Sequence, residues 1–282
     1  MQDFTINTSK HQAISCTLFD SVGSDKIMII VPAAGVPQSF YKKNAEFFQS
    51  NGISTITFDY TGIGHSLTGN IKREVSRLRN WGDRDLEAVL NHASEAFPTH
   101  KIVLLAHSIG GQLIGLAPSS HKADKIILVA AQSGYWKFWK GSAKIRMWAN
   151  WHLLVPLLTK AFGYLPSKKI SRMENLPKNV ADEWAKWCRS RDYLFAGLSH
   201  NNLFFERITC AITSISIDDD FFAPKQAVEW LTAKFARADV KRLHLVPESF
   251  NVSAIGHFSL FKEKFRNTIW DMLLKEATRY KE

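Results

Sequence analysis

An α/β fold with a mostly parallel central sheet is the class this sequence predicts, on three observations. Apolar, β-branched runs of strand length recur at Lys26 to Val31, Ile102 to Ala106 and Lys125 to Ala131, and they are too continuously apolar for a sheet with one wet face. Stretches with helical spacing alternate with them, as β-α-β construction requires. Turn-forming residues mark the changeovers: Pro32 closes one strand and Asn51-Gly52 one helix.

Taken in order, Phe4 to Ile6 and Ala13 to Phe19 read as an opening antiparallel pair, and Lys26 to Val31 as a buried strand. Tyr41 to Ser50 has helical spacing. Ser54 to Phe58 is the next strand, followed by the turn-rich loop Asp59 to Ser66. Trp81 to Ala96 reads as an amphipathic helix leading into the strand Ile102 to Ala106. Gln112 to Leu116 begins another helix, and Lys125 to Ala131 another strand. From Ser133 the texture changes: six of the nine tryptophans (Trp136, Trp139, Trp148, Trp151, Trp184, Trp187) fall in one segment whose helical runs are broken at Pro156, Pro166 and Pro177. Strand character resumes at Ala211 to Ile217, followed by Asp218-Asp219-Asp220. A helix (Lys225 to Phe235), a strand (Arg242 to Val246), a loop ending Ile255-Gly256-His257-Phe258 and a final amphipathic helix complete the chain.

A chain of 282 residues with 45% hydrophobic and 22% charged content buries a sizeable core and does not have the composition of a disordered protein. We expect one core carrying an insertion. The net charge of +10 resembles a nucleic-acid signal until it is located. Between Ser133 and Arg191 stand twelve Lys/Arg against Glu174, Asp182 and Glu183, a net of +9, so the charge marks out one segment and no nucleic-acid partner is expected. Such a surface attracts anionic substrates, acidic partners or a membrane face, or is simply a solvated helical face. The N-terminus lacks a basic start and an apolar h-region, and no run is long enough to span a bilayer, so a cytoplasmic location is expected. Cys16, Cys188 and Cys210 are odd in number and have no C-x-x-C spacing, which speaks for buried thiols over disulfides or a zinc site. No dinucleotide, phosphate-loop or metal-ligand pattern is present, and no cofactor is expected.

The chemistry centres on Ala106-His107-Ser108-Ile109-Gly110-Gly111, where a buried strand runs into a turn with one hydroxyl between small residues. A serine on a sharp strand-to-helix turn needs small neighbours, the logic of G-x-S-x-G. Serine acyl transfer also needs a base, a carboxylate that orients the base, and donors for the oxyanion. Ser108 after one strand, an acidic cluster after a later strand and His257 after the last strand supply these in the order Ser, Asp, His. Parallel strands deliver such loops to one sheet edge. His107 is a decoy, because adjacent side chains on a sharp turn point apart, and we read it as packing or as a support one step removed from the reacting atoms. His65 is a weak candidate.

These features resemble the α/β-hydrolases, and in detail a bacterial family of predicted α/β-hydrolases. The resemblance rests on Ala33-Ala34-Gly35-Val36-Pro37-Gln38 with Phe40-Tyr41, the Asp59 to Ser66 loop, Trp81-Gly82 with Asp85-Leu86, Gly134-Tyr135-Trp136 and Glu183-Trp184-Ala185-Lys186-Trp187-Cys188. It covers nearly the whole chain. It implies an α/β-hydrolase fold, a mostly parallel sheet flanked by helices with a helical lid after the sixth strand, and core segments 1–132 and 207–282 around a lid at 133–206. In the resembling family the acid stands four positions before a proline, which selects Asp220 against Pro224. Asp219 is the runner-up, and the unused aspartates are expected to cap the following helix. Oxyanion donors are expected at the Ile109 N–H and at Ala34, or else Ala33. The aromatic lid suggests a pocket walled by Tyr135, Trp136 and Trp139, suited to a bulky, partly apolar group. The expected substrate is a small-molecule ester or lactone. Similar serine esterases open macrocyclic lactone antibiotics, making a macrolactone one candidate; thioesterase, amidase and acyltransferase chemistry use the same triad, and a non-catalytic binding protein could keep the fold. The chain departs from the common pattern at Pro32-Ala33-Ala34-Gly35, where relatives carry His-Gly, and at Thr61, where an arginine is usual.

Overall fold

The computed structural model describes residues 1–9, 12–169, 171 and 173–279; Arg172, one of the twelve basic residues of the middle segment, lies outside them. Strands β1 (Gln2–Ser9), β2 (Gln12–Phe19), β3 (Lys26–Val31), β4 (Ser54–Phe58), β5 (Lys101–His107), β6 (Lys125–Val129), β9 (Ala211–Ile217) and β10 (Val240–Leu245) form one sheet, and β7 (Tyr164–Leu165) pairs with β8 (Leu176–Pro177) apart from it. The spatial order is β1-β2-β4-β3-β5-β6-β9-β10. The opening hairpin and the β2–β4 pair are antiparallel; every other pairing in this sheet is parallel. This is an α/β-hydrolase fold with an eight-strand, mostly parallel sheet flanked by helices.

The continuous apolar runs are explained by burial on both faces. Ile27, Ile29 and Val31 of β3, Ile102, Leu104 and Ala106 of β5, and Ile126 and Leu128 of β6 join one hydrophobic cluster with α2 (Glu87–Ala96). Their neighbours Met28 and Ile30, Val103 and Leu105, Ile127 and Val129 join the opposite cluster, with α1 (Lys42–Ser50) and α9 (Asp271–Thr278). Side chains alternate across a strand, so each of these strands feeds two cores. Helix α3 (Ile109–Leu113) starts directly after Ser108, earlier than the Gln112 start expected, because Gly110 and Gly111 let it press on the sheet. A Cβ at Gly110 would lie 2.5 Å from the Val31 carbonyl oxygen.

Between β6 and β9 the chain runs through α4 (Gly141–Ala149), α5 (Val155–Phe162) and α6 (Lys178–Arg189) before α7 (Lys225–Thr232) and α8 (Gly256–Ser259) complete the helices near the acid and histidine loops. Pro156 does not break the helix as expected. It stands just after a wide helical turn at Asn150–Leu154 that joins α4 to α5, and this widened turn accommodates the ring and the missing N–H within one helical run. Gly134 abuts the Cys188 sulfur, where a Cβ would come within 2.6 Å, so two separated motifs of the sequence meet in one contact. All three cysteines are free thiols, Cys16 and Cys188 buried and Cys210 half-buried.

Thr61, standing where an arginine is usual, takes over that position with hydrogen bonds. Its N–H and hydroxyl donate to the two carboxylate oxygens of buried Asp85 at 2.8 and 3.0 Å, and its carbonyl accepts from Trp81 Nε1 at 3.0 Å. Without a cation there, burial pushes the Asp85 carboxyl up to about 7. A raised folded-state value stabilises the fold below the unfolded value near 3.8 and loses that stabilisation as pH rises through about 7. Asp85→Asn should therefore match the wild type near pH 4 and exceed it at pH 8, by on the order of 2–4 kcal/mol, in denaturant unfolding at both pH values; equal stability at pH 8 would show that the carboxylate is not destabilised.

Candidate active site

Of the three residues singled out by chain order, Asp220 and His257 meet directly, and Ser108 follows His107, whose ring reaches the backbone oxygen of His257. Ser108 follows β5 with φ 54° and ψ −118°, a strained conformation for a residue with a side chain. Its N–H is tied to the Val129 carbonyl at 2.9 Å, and the serine is nearly buried. Gly111 packs on the Cβ of Ala131, and both sides of the turn are thereby fixed.

The three consecutive aspartates divide their work. Asp220 Oδ2 lies 2.7 Å from His257 Nδ1, both side chains being nearly inaccessible to solvent. Its other oxygen accepts from the N–H groups of Phe222 and Ala223 at 2.8 and 3.1 Å, so the carboxylate is locked in orientation. Asp219 accepts from the N–H groups of Ile255 and Gly256, both at 3.0 Å, and so holds the loop that presents His257. Asp218 reaches His244 Nε2 at 3.3 Å. The expected helix-capping role falls to neither of the unused aspartates: α7 begins after Pro224 with no side-chain cap. Among the described residues the Ser108 hydroxyl makes no hydrogen bond, so its contact with His257 is open; such bonds commonly tighten only with substrate.

His107 is not a second base but a buried strut. Its Nε2 lies 3.0 Å from the backbone oxygen of His257, which can only accept, so Nε2 carries the proton. That leaves Nδ1 to accept from the Tyr41 hydroxyl at 2.8 Å, whose oxygen in turn accepts from the Ala33 N–H at 3.0 Å. One chain of hydrogen bonds thus joins the loop after β3 to the loop bearing His257 through the residue that precedes Ser108. Burial holds the His107 imidazole well below its ordinary range. The Ala33 N–H is committed to this network, whereas the Ala34 N–H bonds to no acceptor among the described residues. The Ile109 N–H stands in the first turn of α3, where no intrahelical acceptor exists.

The loop after β3 is pinned from below by Asp59, whose carboxylate accepts from the N–H groups of Gln38 and His65 at 2.7 and 2.9 Å. Gly64 is required there, because a Cβ would sit 2.4 Å from Asp59 Oδ2. His65 thus contributes a backbone donor, with its side chain exposed. Of the three aromatics expected at a pocket, Trp139 is buried, with Nε1 donating to the Phe221 carbonyl at 2.8 Å, and Tyr135 and Trp136 are half-buried and stacked edge to face. Trp151 and Trp187 are buried in the core cluster, so much of the tryptophan content packs this segment together. Besides Phe258 and His107, the His257 ring meets an aromatic that sequence reading passed over: Phe222 lies 5.5 Å from it and is 49% exposed. Its signal was available, two phenylalanines directly after the acidic cluster.

Residues 23–198, more than half the chain, match the family described as serine aminopeptidase, S33. The fold is similar to a soluble variant of the monoglyceride lipase of Saccharomyces cerevisiae (TM-score 0.68, 13% identity, 99% of this chain and 96% of that one). It is also similar to an esterase of Pyrococcus furiosus (0.64, 16%, 99% and 91%) and a thermophilic esterase of Thermogutta terrifontis (0.60, 18%, 99% and 100%). No curated protein matches the sequence at a significant level.

The His107 strut gives a direct prediction. In NMR the His107 imidazole should stay neutral, with the proton on Nε2, from pH 8 down to pH 5, and titration near 6.5 would contradict the assignment. Tyr41→Phe strands the Ala33 N–H and His107 Nδ1 and should cost about 1–3 kcal/mol in denaturant unfolding.

Proposed function

The chain belongs to the α/β-hydrolase superfamily and, within it, to the serine aminopeptidase S33 family, and from that premise we propose that it is a serine hydrolase that cleaves a carboxylic ester or lactone through Ser108, His257 and Asp220. The observation that carries this reading is the 2.7 Å pairing of Asp220 with His257 at the sheet edge where Ser108 occupies its strained turn. Asp220 orients the imidazole through Nδ1 and leaves Nε2 to take the Ser108 proton as Oγ attacks the carbonyl carbon. The N–H groups of Ile109 and Ala34 receive the negative oxygen, the Ala33 N–H being held by Tyr41. Collapse expels the alcohol, which takes the proton from His257. Water, deprotonated by the same nitrogen, then releases the acid and restores Ser108. Nothing beyond these groups is needed for the chemistry.

Residues 133–206 act in this reading as a lid over core segments 1–132 and 207–282. Supporting contacts reach both loops of the site: Trp139 bonds to the Phe221 carbonyl, Arg146 stacks 5.3 Å over the Phe221 ring, and the Glu174 N–H donates to the Gly35 carbonyl at 2.7 Å. Phe222 and the half-buried Tyr135 and Trp136 are assigned to the substrate's apolar part, with Trp139 steadying the acid loop. A bulky ester, a macrolactone among the possibilities, fits such a surface. The family description favours amide cleavage as the second reading; competing thiol, amine and alcohol acceptors in product analysis separate ester, thioester, amide and acyl-transfer chemistry.

A fluorophosphonate should label the wild type and leave Ser108→Ala unlabelled; an unlabelled, folded wild type contradicts the proposal and favours a binding protein on this fold. Asp220→Asn should lower kcat by roughly 10⁴-fold. Asp219→Asn, which loosens only the His257 loop, should lower it far less, and the reverse order in steady-state kinetics would reassign the acid.

A further inference from the structure

We propose that the helical run from α4 to α5 is an in-plane docking surface for an anionic lipid bilayer, a property independent of the chemistry at Ser108. Met147, Trp151, Val155 and Thr159 recur every four residues and are buried, defining the inward face. Two positions away from them, on the opposite face, stand Ile145, Leu153 and Leu157, which are 70%, 49% and 63% exposed. Trp148, Leu154 and Phe162 flank this stripe and are exposed as well. Six of the eleven exposed large hydrophobics among the described residues therefore lie on this one run, which is a patch and not the scatter of an ordinary surface. Phe221, 40% exposed, extends it, since Arg146 of α4 stacks on its ring.

The charge around the patch selects the partner. From Ser133 to Met173 the sequence holds eight Lys/Arg and no Asp or Glu. Lys140, Lys144, Arg146 and Lys160 are exposed beside the apolar stripe. A cavity of about 320 Å³ between α5 and α6, lined in part by Lys160, adds Arg189, while Lys178 there is paired with Asp182, whose carboxylate also accepts from Thr159. An apolar stripe with tryptophan at its edge and cations around it is the pattern of an interfacial helix, with acyl chains meeting the stripe and anionic headgroups the cations. A second copy of the chain would bring the same cations face to face, and a wholly acidic protein surface would leave the apolar side chains uncovered. Among the described residues no helix is long and apolar enough to cross a membrane, so docking lays the helix on the surface.

The test is co-sedimentation of the full chain with vesicles of equal parts phosphatidylglycerol and phosphatidylcholine, against phosphatidylcholine alone. Binding should be confined to the anionic vesicles and fall with added salt. Leu153→Ser/Leu157→Ser should weaken it at least about tenfold, and Lys140→Glu/Lys144→Glu should do likewise and abolish the preference for anionic vesicles. Circular dichroism and hydrolysis of a short water-soluble ester should be unchanged in both variants, since these side chains are exposed. A wild type that ignores anionic vesicles, or leucine variants that bind like it, overturns the proposal. A wild-type dimer in light scattering that Leu157→Ser renders monomeric also overturns it, assigning the stripe to a second copy. Vesicle binding without any ester cleavage would sink the hydrolase reading and leave the docking surface standing.

Discussion

The strained turn at Ser108 is the constraint on which the rest of the site depends. A positive φ at a residue with a side chain persists only where surrounding packing over-determines it. Here the packing comes from the sheet itself: Gly110 lets α3 approach the Val31 carbonyl, Gly111 lets it rest on Ala131, and the Ser108 N–H is bonded across to Val129. Because β3, β5 and β6 are parallel neighbours, those three supports arrive at one edge and define where every other loop must converge.

Around that turn the protein uses buried polar groups in pairs that leave few loose ends. Asp219 and Asp220 both serve the His257 loop, one through its backbone N–H groups and one through the imidazole. His107, neutral through burial, ties the backbone of His257 to Tyr41 and through it to Ala33. The loop after β3 and the loop after β10 are therefore coupled mechanically, and the coupling engages the Ala33 N–H while the adjacent Ala34 N–H meets no acceptor among the described residues. A low local dielectric makes such a fully paired network rigid and makes any broken member costly.

Much of this was legible in the sequence for physical reasons. Strands buried on both faces write continuous apolar runs, so β3, β5 and β6 are readable from the sequence pattern, whereas β9 carries Thr213, Ser214 and Ser216 among its isoleucines. The meeting of Asp220 with His257 is readable because chain order and strand ends determine which loops can meet. What was not legible is pairing over distance. Nothing local tells that His107 meets Tyr41, that Asp219 meets Ile255 and Gly256, or that Thr61 satisfies a buried Asp85 without an arginine. Pro156 misled because a wide helical turn ahead of it supplies a conformation that propensity does not encode. For the tryptophans composition fixes the segment but not the role: a pocket wall and a packing role are both open from the sequence, and only packing shows that Trp139, Trp151 and Trp187 face the core.

The central claim, that Ser108, His257, Asp220 and the Ile109 and Ala34 N–H groups form one reacting unit, is tested most directly by the crystal structure of a phosphonate adduct. The account predicts phosphorus bonded to Ser108 Oγ, its free oxygen about 3 Å from the N–H groups of Ile109 and Ala34, and the Ala33 N–H still on Tyr41. An adduct on another residue, or a phosphoryl oxygen turned away from both donors, would contradict it.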